Sequence, residues 1–118
     1  MLVIGTGALA SFLLPKLARE GKPLQVFGSP SVRLAALRTW AGVASDARAV
    51  DVHQGWLVVC KSWQNPAKIA LLQSAPRPGT ILVLQNGLSP EEAWAGGFPG
   101  LSVERALCTY GVASVAPG

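Results

Sequence analysis

The 118-residue chain predicts an α/β fold: a doubly wound, mainly parallel sheet with helices on both faces, in a single domain. Two observations support this. Short apolar runs alternate with segments that carry helix signals from one end to the other, an ordering that implies parallel strands joined by crossover helices. Half of the residues (50%) are hydrophobic and only 14% are charged, which suits a sheet covered on both sides. The length allows one compact domain and is too short for two. There is no internal repeat, low-complexity stretch or linker.

The elements follow in order. Met1 to Ile4 is an apolar run closed by Gly5 and reads as a buried strand. Ala8 to Glu20 reads as a helix stopped by Gly21, with Pro15 expected to bend or break it. Leu24 to Phe27 is a second strand closed by Gly28. Ser29-Pro30 then resembles a helix cap followed by proline at the first helical position, opening a helix to about Trp40. Alternation at Val43, Val50 and Val52 suggests short edge strands between Gly42 and Gln54. Trp56 to Cys60 is strand-like. Asn65-Pro66 opens a helix to about Ala75, ended by Pro76 and Pro78-Gly79. Thr80 to Gln85 is the next buried strand. Ser89 with Glu92 three residues on has a capping-box pattern. Arg105 to Ser114 holds a last strand and a turn.

Composition excludes several classes. No run reaches the roughly 18 uninterrupted apolar residues that a membrane helix needs, so no membrane is expected as a partner. Met1 to Leu14 is apolar, but no positive charge precedes it and Gly5 and Gly7 interrupt it, which argues against an export signal. The ten basic residues are scattered rather than interleaved with aromatics, so no nucleic-acid partner is expected. The net charge of +4 suits an anionic small molecule. Cys60 and Cys108 lie in separate strand-like runs and read as buried reduced thiols, which places the chain in the cytoplasm. His53 reads as a surface residue with no metal set around it. Trp40, Trp56, Trp63 and Trp94 read as packing residues.

Gly5-Thr6-Gly7-Ala8-Leu9-Ala10 fits G-x-G-x-x-G/A, directly after a strand and opening a helix. Each position has a task. Gly5 permits the tight turn. Gly7 lets a diphosphate approach the backbone. Ala10 lets the helix pack closely on the strand. The helix-start amides then face the phosphates with the positive end of the dipole. This is the signature of a dinucleotide-binding, Rossmann-like domain. The second strand lacks the terminal carboxylate that would bond a ribose 2′-hydroxyl. It runs instead into Ser29, Ser31 and Arg33, which favours NADP(H) over NAD(H).

Four stretches together resemble the ketopantoate reductase (2-dehydropantoate 2-reductase) family. They are the glycine turn, Val58-Val59-Cys60-Lys61-Ser62-Trp63-Gln64, Leu84-Gln85-Asn86-Gly87-Leu88 with Glu91-Glu92, and Cys108-Thr109-Tyr110-Gly111-Val112-Ala113 with Pro117-Gly118. The resemblance implies a cofactor contact at Lys61. It implies a role for Asn86 near nicotinamide and substrate, and positions for Thr109 on the substrate side and Ser114 on the cofactor side. Lys61 and Asn86 each follow a buried strand, where parallel-sheet proteins hold ligands. The family's arginine after the second strand is replaced here by Ser29, with Arg33 a helical turn later. Family members continue into a helical domain that supplies a catalytic lysine and a substrate-binding glutamate. The resemblance therefore implies a cofactor half with no catalytic residue of its own among residues 1–118. It also implies a small keto acid as partner, pantothenate biosynthesis as the setting, and NADPH-dependent reduction that needs more than these residues.

Two other readings stay open. The chain could be the front domain of another 2-oxo-acid, 2-hydroxy-acid or opine-type dehydrogenase. It could also be a nucleotide-sensing module without catalysis. The face that would meet the family's helical domain, near Trp63, Trp94 and Phe98, is expected to be apolar and to drive self-association or homodimer formation.

Overall fold

The computed structural model describes residues 1–106. Strands β1 (Leu2–Ile4), β2 (Gln25–Phe27), β3 (Gly42–Ala44), β4 (Gly55–Val58), β5 (Thr80–Leu84) and β6 (Ser102–Ala106) form one sheet in the order β3-β2-β1-β4-β5-β6. Every pairing is parallel. The chain builds outward from β1 to β3, then returns to the other side of β1 and builds outward to β6. The order reverses between β1 and β4, and at that crevice a doubly wound sheet holds its ligands.

Four helices link the strands: α1 (Ala8–Ala18), α2 (Val32–Ala36), α3 (Asn65–Leu71) and α4 (Glu91–Gly97). Side chains alternate along each strand, so the sheet feeds two cores. Val3, Val26 and Leu57 point to one face, where Ala10 and Leu14 of α1 and Leu34 of α2 cover them. Leu2, Ile4, Phe27, Trp56 and Val58 point to the other, where Leu72, Trp94 and Phe98 cover them. Phe98 meets the Trp56 ring edge-on at 5.2 Å and stacks on Trp94 at 6.0 Å.

This packing corrects several expectations. Trp94 and Phe98 are fully buried and form no exposed apolar face. Both sit on the inward side of α4 and its C-terminal exit, because the second core needs aromatic volume over β4 and β5. Trp63 is not a packing residue; it is 77% exposed. His53 is buried, not on the surface, because Gln25 holds its ring from β2 at 2.9 Å. Pro15 does not break α1, which runs through it to Ala18. The exposed Ser11 leaves the carbonyl that Pro15 cannot bond open to water. The cap of α2 is Ser31, whose Oγ accepts from the Leu34 amide at 3.1 Å, not Ser29. The capping box at α4 does not form: Ser89 takes a positive φ of 47°, and the Glu92 amide donates to its carbonyl instead. Between Gly42 and Gln54 only β3 is a strand; Ala47–Ala49 is a 3-10 turn. Beyond Ala106, the expected last turn lies outside the described residues.

Candidate functional site

The bend from β1 into α1 lies at the carboxyl edge of the sheet. Gly5 has φ 130°, a region that favours glycine. A Cβ there would lie 2.7 Å from the Cys60 amide nitrogen, so glycine also permits β1 to run against the end of β4. Its own amide donates to the Phe27 carbonyl at 3.0 Å. Thr6 turns its methyl over Gly28, where any side chain would collide with it. Among the described residues, nothing beyond its chain neighbours and its own helix lies within 4 Å of where a Cβ at Gly7 would sit. Gly7 is the cap residue of α1, and no side chain caps that end. The first-turn amides are therefore left for water or a ligand. Ala10 is fully buried and brings α1 close to the sheet; Leu9 packs beside it, with Ala8 at the first helical position.

The end of β2 shows how the second motif is built. Ser29 is exposed and has no capping duty, while the Ser31 hydroxyl is committed to the cap of α2. Arg33 is exposed on α2. Opposite Ser29 lies a residue that sequence reasoning missed. Lys68 of α3 is 8% exposed, and its Nζ is 3.4 Å from Ser29 Oγ and 5.8 Å from the centre of the Phe27 ring. No local pattern marks it, because the contact spans 39 residues.

Beyond β4 and β5 a buried polar clasp holds the two strand ends. Asn65 Nδ2 donates to Gln85 Oε1 at 2.9 Å, and Gln85 Nε2 donates back to Asn65 Oδ1 at 2.8 Å. The same Gln85 nitrogen donates to the Cys60 carbonyl at 2.6 Å. Cys60 itself is a free, buried thiol. Burial pushes its pKa up to about 11, against the opposing charge of Lys68 and the hydrogen bond from Gln85, so it stays protonated and unreactive near neutrality. The sequence offered one signal for this clasp: a glutamine closing the apolar run Thr80 to Gln85.

The clasp orders the two loops that carry the remaining candidates. Lys61 lies three residues past β4 and Asn86 two past β5, and both are exposed. The Asn86 loop is tied from β6, where the Arg105 guanidinium donates to the Gly87 carbonyl and lies 3.9 Å from Glu91 Oε2. Parallel pairing therefore brings Gly5–Ala10, Ser29, Lys61 and Asn86 to one edge of the sheet. Arg33 stands further off on α2. Thr109 and Ser114 lie outside the described residues.

Comparison with known proteins decides the family. The model of ketopantoate reductase PanE/ApbA matches residues 1–118. The chain belongs to that family. Solved structures share the fold. A protein assigned as a ketopantoate reductase from Ralstonia solanacearum MolK2 superposes with TM-score 0.79 at 20% identity, over 98% of this chain and 46% of its own. One assigned as 2-dehydropantoate 2-reductase from Bacillus subtilis gives 0.76 at 16%, over 93% of this chain and 41% of its own. A D-mandelate dehydrogenase solved with NADH and anilino(oxo)acetate gives 0.71 at 15%, over 87% and 39%. This member of the ketopantoate reductase family thus spans less than half the length of those proteins. No curated protein matches the chain. Among the described residues, no helix is long and apolar enough to cross a membrane, and no group of three or more His, Cys, Asp or Glu side chains could hold a metal.

Proposed function

We propose that this chain is the NADP(H)-binding part of a 2-dehydropantoate 2-reductase, which reduces the ketone of ketopantoate to pantoate on the route to pantothenate. One observation carries the reading: the β1–α1 bend pairs a glycine packed against the β4 backbone with an uncapped helix start and clear space over Gly7. Those features fit a diphosphate held by backbone amides. When bound, the nicotinamide supplies the hydride. The residues of this chain bind and orient. Gly5, Thr6, Gly7, Ala8, Leu9 and Ala10 form the diphosphate turn. Ser29 serves the adenosine ribose, with Arg33 exposed a helical turn further along on α2, and Lys61 and Ser114 serve the remainder of the cofactor. Asn86 presents an amide that both donates and accepts, beside the nicotinamide and the keto acid, with Thr109 on the substrate side. In this reading the proton donor for the developing alkoxide comes from outside residues 1–118. A cytoplasmic location belongs to the same reading and rests on the buried free thiol of Cys60. Self-association in this reading uses Trp63 and Leu88, 77% and 100% exposed beside the site.

A second reading, an NAD-linked 2-hydroxy-acid dehydrogenase, is favoured by the likeness to D-mandelate dehydrogenase solved with NADH. Calorimetric titration with NADPH and NADH tests both. Tighter binding of NADPH is expected; preference for NADH would favour the second reading, and binding of neither would overturn both. Robust ketopantoate reduction by the 118-residue chain would overturn the external proton donor.

A further inference from the structure

Lys68 is a cation held out of water without an anion. It is 8% exposed, and among the described residues no carboxylate lies within ion-pair distance of it. An ammonium has three N–H donors. Here it meets one hydroxyl at 3.4 Å, near the limit for a hydrogen bond, and one ring face at 5.8 Å, near the limit for a cation–π contact. Neither replaces the hydration that burial removes. The site is therefore half of a pair, and its open side is at Ser29, just past the end of β2.

The surrounding residues explain why the charge comes from α3. Gly28 cannot carry a side chain, because the Thr6 methyl occupies the space. Ser31 has its hydroxyl committed to the Leu34 amide. Arg33 projects from an exposed turn of α2. Among the described residues, Lys68 is the cation with a hydrogen bond to Ser29 at the end of β2. Building on the nucleotide reading above, we propose that Lys68, with Ser29 as its co-ligand, is the specificity-determining residue for a 2′-phosphorylated adenosine. Arg33 contributes little to that choice.

The test is a titration of the wild-type chain and three variants with NADPH and NADH at one salt concentration. Lys68→Met keeps the stem and removes the charge. It is expected to weaken NADPH about tenfold to a hundredfold, the range for a lost charge-assisted hydrogen bond, and NADH by less than about twofold. Ser29→Asp changes an exposed residue and leaves the core intact. It gives Lys68 an internal partner and repels a phosphate, so NADPH is expected to weaken at least as far while NADH holds or tightens. Arg33→Ala is expected to change NADPH less than about threefold. Equal loss of both nucleotides in Lys68→Met, or a loss of NADPH that follows Arg33 instead, overturns the proposal. A wild type that prefers NADPH and keeps that preference in Lys68→Met sinks the Lys68 assignment alone. A wild type that binds neither nucleotide removes the nucleotide reading and this assignment with it.

Discussion

At the amino edge of the sheet, Gln25 donates to the Ala49 carbonyl at 2.7 Å, accepts from the Asp51 amide at 2.9 Å and meets His53 Nε2 at 2.9 Å. The Gly79 and Thr80 amides share the Gln54 carbonyl, and the N-terminal ammonium donates to Pro23 at 2.8 Å. At the carboxyl edge, the start of α1 has no side-chain cap, Lys68 has one long hydrogen bond, and Lys61 and Asn86 face solvent. The same strands end in both places, so strand propensity does not separate them. The difference is in unsatisfied capacity. One edge meets its polar groups from within the chain and adds stability. The other closes part of its polar groups in the Asn65–Gln85 clasp and keeps the α1 amides, Lys68, Lys61 and Asn86 free for something outside it.

The sharpest way to break this contrast is Gly5→Ala, because Gly5 serves both purposes. An added methyl would meet the Cys60 backbone at 2.7 Å in a φ region that alanine avoids. The expected loss is about 3 kcal/mol or more from strain and overpacking together, with nucleotide binding lost as well. Urea denaturation and NADPH titration measure the two. A variant with wild-type stability would show that the close approach of β1 to β4 is not needed.

Gln25→Leu attacks the closed edge only. It leaves the Ala49 carbonyl, the Asp51 amide and the His53 ring without their partner, at an expected cost of about 2 kcal/mol. NADPH affinity measured under folding conditions is expected to stay the same. A fall in affinity as large as the fall in stability would mean that the two edges are not independent.

Gly7→Ala reverses that pattern. None of the described residues lies where its methyl would go, so stability is expected to stay within about 0.5 kcal/mol. The methyl would occupy the space left for a diphosphate, and NADPH is expected to bind about tenfold more weakly, or about 1.4 kcal/mol. Unchanged binding would show that the open space over Gly7 is not where the ligand lies.

The sequence made one side of this contrast easier to read than the other. The glycine turn is local: six consecutive residues, a strand before and a helix after. The parallel sheet with helices on both faces followed from the alternation of strand and helix signals. Lys61 and Asn86 were found because each directly follows an apolar run. Lys68 gave no signal, since a lysine between Ala67 and Ile69 on a helix looks like any solvated residue. Only its reach to Phe27 and Ser29, distant in sequence, marks it. His53 was misread for the same reason: its partner Gln25 lies 28 residues away. The packing reading of Trp94 held, but the exposed face expected near Trp94 and Phe98 did not, because apolar residues near a helix end do not reveal which way the helix faces. What spacing cannot encode is which distant element covers a side chain.

His53 offers the smallest test, and its sign can be worked out. Gln25 Oε1 already accepts from the Asp51 amide while Gln25 Nε2 donates to Ala49, so the Oε1 atom facing His53 is an acceptor and the imidazole must carry its proton on Nε2. Burial lowers the pKa of this ring from its ordinary 6.5; the N-terminal ammonium adds to the shift, and Asp51 opposes it. The folded chain then takes up a proton less readily than the unfolded chain. The contribution of His53 to stability is fully present above pH 6.5 and is lost as the pH falls below that toward the lowered value. Urea midpoints taken from about pH 7.5 down to about pH 5.5 should decline in the wild type and decline less in His53→Gln, whose side chain does not titrate in that window. Parallel declines would mean that the closed edge admits a charged imidazole. The contrast between an edge that meets its own polar groups and one that leaves them free would then need another basis.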